Sequence, residues 1–144
     1  MVTFLSFMLF ALVMAFAVWR KGAMLDSVSE VAYILPKWAF TVWMAIVGML
    51  LMPGLMEKLP DNWRFLGFLA VACSFGVAST PWYKTEDGTL HYVGGGLCAV
   101  LSLVVVAMLR PWLLLAWLSV PFAPRGRMFL AAELMVYLQL IMSI

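Results

Sequence analysis

The stretch VTFLSFMLFALVMAFAVW, residues 2–19, decides the fold of this chain. It holds no charged side chain, and it ends at the basic pair Arg20-Lys21. At about 1.5 Å per residue, a helix of this length measures roughly 27 Å, close to the hydrocarbon thickness of about 30 Å, and its length falls within the range of about 17–25 residues that a transmembrane helix needs. The sequence Ala-Phe-Ala at residues 15–17 resembles a signal cleavage site, but no positive charge precedes the apolar run. We therefore predict a retained membrane span rather than a cleaved signal.

The composition of the whole chain agrees with this prediction. Of its 144 residues, 66% are hydrophobic and only 11% are charged, whereas a soluble domain is about 45–50% apolar and about 25% charged. The formal net charge of +2, without a cluster of basic residues, argues against nucleic acid as a partner. We predict one transmembrane domain over residues 1–144, in the inner membrane of a bacterium and in contact with lipid.

Further apolar runs follow the first one, separated by short polar turns. They predict an all-α, polytopic bundle of about six helices, with spans at residues 2–19, 38–55, 65–83, 91–109, 112–123 and 128–144. The fifth run has only 12 residues, roughly 18 Å as an α-helix, which is short for a full crossing. If residues 112–123 are re-entrant, five spans remain.

Two local signals shape the region before the second span. Ser27 and Glu30 have the spacing of a capping box, which predicts that a helix begins there. Pro36 lacks a backbone donor and clashes with the preceding turn, so we predict a bend or break within one turn of it, and Pro53 should repeat the effect. The two serines at positions 27 and 29 are interpreted as helix caps rather than nucleophiles.

The basic residues predict the orientation of the bundle. With six spans, one side carries Arg20, Lys21, Lys37, Lys84, Arg125 and Arg127, and the other carries Lys58, Arg64 and Arg110. The side with more lysine and arginine is the cytoplasmic one by the positive-inside rule.

Most polar residues near the spans gather on that side, because the first, third and fifth loops share one face of the membrane. These loops and the helix starts beside them predict a polar cavity that opens to the cytoplasm. Its predicted ligand-binding residues are Ser29, Glu30, Tyr33, Lys37, Asp87, His91 and Glu133.

Glu133 is the sharpest candidate in this set. It lies two turns into an apolar helix, where an ionisable side chain is costly and usually faces a partner or a wet cavity. It is either a proton-carrying or substrate-orienting carboxylate or a structural partner, and we predict Lys37 or His91 as the group it pairs with. His91 itself is either a general base or proton relay, or an interfacial histidine that caps a helix end.

The cysteines, the single histidine and the glycines argue against a haem site, a zinc site and a phosphate loop. Cys73 and Cys98 lie inside apolar runs and are interpreted as buried hydrophobes. A single histidine excludes a bis-histidine haem site, and no zinc motif is present, so we predict neither a cofactor nor a metal. The glycines at 94–96 lack the context of a phosphate loop and are expected to admit another backbone, a lipid or a ligand.

The segments DSVSEVAYILPKWAF, FLAVACSFGVASTPWYK and LHYVGGGLCAV resemble a group of small, uncharacterised multi-span proteins of Bacteroidota and their phages. The resemblance covers roughly residues 25–140, with Ser27, Ser29, Tyr33 and His91-Tyr92 matching, and it implies no function. The layout is more distantly similar to alkaline-ceramidase-like membrane hydrolases. Those enzymes hold zinc with several histidines, whereas this chain has one.

Three hypotheses for the function follow. The first is a small membrane protein that binds a lipid or hydrophobic ligand or transports a small solute, as a homo-oligomer if it forms a pore. The second is a lipid-modifying hydrolase or transferase that uses Asp87 and His91. The third is a structural or interaction subunit of a membrane complex, without a cavity.

Overall fold

The computed structural model describes residues 1–84, 88–124 and 126–144. All regular structure in these ranges is helical, which confirms the predicted all-α bundle. The α-helices are α1 Val2–Lys21, α2 Val31–Ile34, α3 Lys37–Lys58, α4 Arg64–Ser79, α5 Thr89–Leu109 and α6 Met128–Ser143. Three 3-10 helices accompany them, at Val28–Glu30, Asp61–Trp63 and Pro111–Phe122.

Helices α1, α3 and α5 are long and apolar enough to cross a membrane. Their apolar side chains point largely outward, since only 17% of the most apolar window of α1 is buried inside the protein. Helices α4 and α6 have 16 residues each, roughly 24 Å at 1.5 Å per residue. The bundle therefore contains three helices of spanning length, and six crossings remain a prediction.

The short apolar run forms the 3-10 helix Pro111–Phe122 rather than an α-helix. A 3-10 helix rises about 2.0 Å per residue, so its 12 residues extend roughly 24 Å, further than the 18 Å expected of an α-helix. The fully crossing and the re-entrant interpretation of this segment both remain predictions.

The predicted break at Pro36 is confirmed. Helix α2 ends at Ile34, Leu35 is extended with φ −94° and ψ 161°, and α3 begins directly after the proline. An extended residue is the conformation that a following proline favours. Pro53 does not break α3, which continues through it to Lys58, and a bend at Pro53 remains a prediction. Because proline has no backbone N–H, α3 lacks one hydrogen bond at Pro53, but the helix is continuous.

Two glycines set the close packing between α4 and α5. A Cβ added to Gly94 would lie 3.2 Å from the carbonyl oxygen of Cys73 on α4, and one added to Gly76 would lie 3.7 Å from the Cα of Gly94. Gly96, two residues further along α5, has nothing within 4 Å of the same position. The glycine run at 94–96 thus admits another backbone at Gly94, as the sequence predicts.

This packing gives a matched pair of substitutions. Gly96→Ala is expected to stabilise the protein, because alanine is favoured over glycine in a helix by up to about 1 kcal/mol. Gly94→Ala is expected to destabilise it, since overpacking costs about 1–3 kcal/mol and exceeds that gain. The free energy of unfolding in mixed detergent micelles measures both, and equal effects at the two positions would contradict the packing.

Helix α6 is held beside α1 and α3 by a buried serine. The Ser6 hydroxyl donates to the Val47 carbonyl at 3.1 Å and therefore accepts from the Tyr137 hydroxyl, 2.9 Å away. The Tyr137 ring stacks on Phe10 with 3.9 Å between ring centroids. These contacts fix the start of α1, the middle of α3 and the second half of α6 against one another.

Candidate functional site

The polar residues of the first loop form a cap at one end of the bundle. Ser27 Oγ accepts the backbone N–H of Glu30 at 3.2 Å, so the predicted N-terminal cap is confirmed for Ser27. One carboxylate oxygen of Glu30 accepts a hydrogen bond from the Lys21 ammonium at 2.6 Å, and the other accepts one from the backbone N–H of Asp26 at 2.7 Å. Glu30 thus closes the loop between α1 and the 3-10 helix Val28–Glu30.

The electrostatics of Glu30 follow from these contacts. Partial burial raises the pKa of its carboxyl, but the hydrogen bonds from Lys21 and Asp26 and the nearby positive charges outweigh burial and hold the pKa below the ordinary value of 4.5. A carboxyl with a lowered pKa stabilises the folded state above its ordinary pKa, and this contribution is lost as pH falls below that value. Glu30 is therefore ionised in the folded protein near neutral pH.

Ser29 does not cap the helix, contrary to the sequence-based interpretation. Its hydroxyl lies 3.0 Å from Nε2 of His91, the first-turn histidine of α5, 62 positions further along the chain. Both residues are buried, with 7% of Ser29 and 5% of His91 exposed. Helix α5 and the first loop therefore meet at a serine–histidine pair that is shielded from the surface.

The other ring nitrogen of His91 fixes the tautomer. Nδ1 lies 3.0 Å from the backbone carbonyl oxygen of Thr80 and 3.3 Å from the Thr80 hydroxyl. A carbonyl oxygen can only accept, so Nδ1 carries the proton and Nε2 of the neutral ring is an acceptor. The Ser29 hydroxyl must then donate its proton toward Nε2.

Tyr83 packs against His91, and Tyr33 contacts the turn that carries Tyr83 and Lys84. The Tyr83 ring stacks on the His91 imidazole with 4.1 Å between ring centroids. The Tyr33 hydroxyl accepts the backbone N–H of Lys84 at 2.8 Å, and the Lys84 ammonium lies 5.3 Å from the Tyr33 ring centroid. These contacts hold the turn after α4 against the first loop.

Glu133 also faces the interior, but its partner differs from the predicted one. Its carboxylate accepts the backbone N–H of Val28 at 2.5 Å rather than pairing with Lys37 or His91. Val28 opens a 3-10 helix, and the first N–H groups of a helix have no partner within it. The prediction of a polar partner is confirmed, while the expected side-chain partner is wrong because a backbone donor lies closer.

This contact predicts how Glu133 tolerates substitution. Glu133→Leu leaves the Val28 N–H without its acceptor, which costs about 1–3 kcal/mol, but it also removes the cost of burying a carboxylate. Glu133→Gln keeps an oxygen acceptor and lacks the charge, so we expect it to be about 1 kcal/mol more stable than the leucine variant. Thermal unfolding of the two variants in the same detergent checks this order, and a more stable leucine variant would contradict it.

Lys37 lies at a separate cleft. Its ammonium is 4.7 Å from the ring centroid of Trp82, within the range of a cation–π contact. It borders a cleft of about 410 Å³ that is lined by Lys37, Trp38, Thr41, Val42, Ser79 and Pro81. Of the six predicted ligand-binding residues that the structure describes, only Lys37 lines this cleft.

A second cleft, of about 320 Å³, lies between α1 and α6 and is almost wholly apolar. Its lining comprises Phe7, Phe10, Ala11, Met14, Ala15, Val18, Met24, Leu25, Leu130, Leu134 and Leu138. Neither cleft is lined by Ser29, Glu30, Tyr33, His91 or Glu133. Their role in binding a ligand remains a prediction.

Asp87 lies outside the described residues, so the predicted partnership of Asp87 with His91 remains a prediction. Over residues 1–84, 88–124 and 126–144, no group of three or more histidine, cysteine or acidic residues could hold a metal ion. Cys73 and Cys98 are both free thiols.

Sequence reasoning missed two contributors to the buried polar contacts. Thr80 carries the carbonyl that orients His91, and a backbone group gives no signal in sequence. Gln139 is 2% exposed and bonds both Trp117 and Leu113. The sequence signal for Gln139 was a lone amide inside an apolar run.

Comparisons with protein-family models, curated proteins and solved structures find no match.

Proposed function

We propose that this chain is a multi-pass protein of the bacterial inner membrane that binds a phospholipid in the cleft beside Lys37. The observation that carries the proposal is the composition of this cleft, which combines the polar side chains of Lys37, Thr41 and Ser79 with the apolar and aromatic side chains of Trp38, Val42 and Pro81. A phospholipid has the matching chemistry, with a phosphate beside its acyl chains.

The surroundings of Lys37 support a phosphate at this place. Lys37 is the first residue of α3 and therefore lies at the positive end of the helix dipole. The contact with Trp82 positions the Lys37 ammonium near the cleft. An anion in the cleft would meet both the ammonium and the helix dipole.

The aromatic residues support a location at the membrane interface. Trp38 is 70% exposed and Trp82 is 43% exposed, and both lie at this end of the bundle. Tryptophans concentrate at the level of the lipid headgroups, where their rings meet both apolar and polar surroundings. The phosphate of a bound lipid lies at the same level.

Transport of a small solute receives less support from the geometry. A solute pathway needs polar side chains that face open space, whereas Ser29, His91 and Glu30 bond to neighbouring protein groups. Lipid binding uses the cleft as it stands, and we therefore favour it over transport.

Native mass spectrometry of the purified protein tests the proposal. The protein is incubated in detergent micelles with phosphatidylglycerol, and the fraction that retains one lipid is compared with that of Lys37→Gln. Lys58→Gln is the matched control, because Lys58 is exposed at the opposite end of the same helix. We expect Lys37→Gln to lower retention at least about tenfold, equivalent to about 1.4 kcal/mol, with Lys58→Gln unchanged. Equal retention by all three proteins would refute the proposed site.

A further inference from the structure

We propose that Ser29 and His91 form a nucleophilic pair that takes an acyl group from a membrane ester. This inference goes beyond lipid binding, since it assigns an acyl-transfer activity to two residues outside the Lys37 cleft. It rests on the contacts of the pair itself and on the position of the pair in the bundle.

The hydrogen-bond geometry of the pair is that of an activated hydroxyl. Ser29 Oγ lies 3.0 Å from His91 Nε2, within the distance that a nucleophile and its general base require. The Thr80 carbonyl accepts the proton on Nδ1, so the unprotonated nitrogen faces the hydroxyl. A backbone carbonyl thus does for this histidine what an aspartate does in a serine–histidine–aspartate triad, which is to hold the ring in the tautomer that can remove a proton.

The surroundings restrict the histidine further. Tyr83 stacks flat on the imidazole, with an angle of 15° between the two rings. The Thr80 hydroxyl donates to the Gly76 carbonyl at 2.9 Å, which anchors the residue that orients the ring. Both contacts limit rotation of the imidazole and keep Nε2 directed at Ser29.

The position of the pair suits an acyl ester of a membrane lipid. Thr80, which orients His91, lies between Ser79 and Pro81, and both of these residues line the Lys37 cleft. The ester groups of a glycerolipid lie between its phosphate and its acyl chains. The choice of a lipid ester as the substrate rests on the proposed function, because a lipid with its phosphate at Lys37 would bring an ester to the turn that holds Thr80, next to the buried pair.

The reaction balances with water as the second substrate. Ser29 Oγ attacks the ester carbonyl carbon while its proton passes to His91 Nε2, and the bond from the acyl carbon to the alkoxy oxygen breaks. The proton on Nε2 passes to the departing alcohol. Water then attacks the acyl-serine with His91 as base, which releases the carboxylic acid and restores the Ser29 hydroxyl.

A covalent probe tests the pair without knowledge of its natural substrate. The full chain in detergent micelles is treated with a long-chain alkyl fluorophosphonate, which forms a bond from serine oxygen to phosphorus and loses hydrogen fluoride. We expect one adduct per chain by intact mass, located on Ser29 by peptide mass spectrometry. His91→Asn should slow labelling at least about a hundredfold, the lower range of general-base catalysis.

Ser119→Ala is the matched control, because the Ser119 hydroxyl is exposed and bonds only locally, to the Ala116 carbonyl. It should label at the rate of the unchanged protein, whereas Ser29→Ala should not label. Absence of an adduct from the folded, unsubstituted protein, or an adduct rate that His91→Asn does not change, would overturn the proposal. Labelling does not require the Lys37 cleft, so this result and the lipid-retention result can fail separately.

Discussion

Replacement of His91 by phenylalanine is expected to destabilise the protein by about 1–3 kcal/mol. The phenyl ring can keep the stacking with Tyr83, but it has no nitrogen for the Ser29 hydroxyl or the Thr80 carbonyl. A buried polar group without a partner costs about 1–3 kcal/mol, while single interhelical hydrogen bonds in a membrane protein average about 0.6 kcal/mol. Losing two hydrogen bonds at about 0.6 kcal/mol each, or leaving one buried polar group without a partner, both give a destabilisation within the expected range.

A double substitution separates lost hydrogen bonding from altered packing. Combining His91→Phe with Ser29→Ala removes the hydroxyl that His91→Phe leaves without a partner. The double variant should therefore lose less free energy of unfolding than the sum of the losses of the two single variants. Tyr92→Phe is the control at the neighbouring position, because Tyr92 is 64% exposed. The measurement is the free energy of unfolding in mixed detergent micelles, and strictly additive effects at positions 29 and 91 would show that the contact contributes nothing.

The broad architecture could be predicted because bilayer thickness acts directly on the sequence. Apolar run length gives the long helices α1, α3 and α5, and proline chemistry gives the break at Pro36. The 3-10 conformation of Pro111–Phe122 could not be predicted, since run length and hydropathy are the same for both kinds of helix.

Loop order also predicts which polar segments meet. Adjacent helix ends on one side brought the segment around Ser29 to His91, and the first loop to Glu133. The pairing of individual atoms could not be predicted. The sequence gives the depth of a residue along the membrane normal, but it does not give the rotation of the helix about its own axis. Glu133 accordingly contacts the Val28 backbone at a depth where Lys37 was an equally compatible partner.

A single amide joins α6 to the 3-10 helix Pro111–Phe122. Gln139 Oε1 accepts the indole N–H of Trp117 at 2.9 Å, and its Nε2 donates to the Leu113 carbonyl at 2.6 Å. Only 2% of Gln139 is exposed, so no water or lipid headgroup can replace either partner. 3-10 helices longer than three or four residues are uncommon. The hydrogen bonds to Gln139 help to explain why this 3-10 helix extends over 12 residues.

Gln139→Leu is therefore expected to destabilise the protein by about 1–2 kcal/mol. Leucine has a similar volume and fills the space, so the change removes hydrogen bonding with little loss of packing. The Leu113 carbonyl can keep a bond within its own helix, which leaves the Trp117 N–H as the main orphaned group, at a cost of about 1–3 kcal/mol. Trp117→Phe removes that donor, so adding it to Gln139→Leu should recover part of the lost stability.

The same double substitution identifies the cause of any effect. Ser119→Ala serves as the control on the same 3-10 helix, because the Ser119 hydroxyl is exposed and bonds only locally to the Ala116 carbonyl. The free energies of unfolding of the single and double variants are compared in one detergent. If Gln139→Leu is as stable as the unsubstituted protein, the amide does not hold the 3-10 helix against α6. If the double variant is less stable than Gln139→Leu alone, packing of the indole ring outweighs the orphaned N–H, and the hydrogen-bond explanation fails.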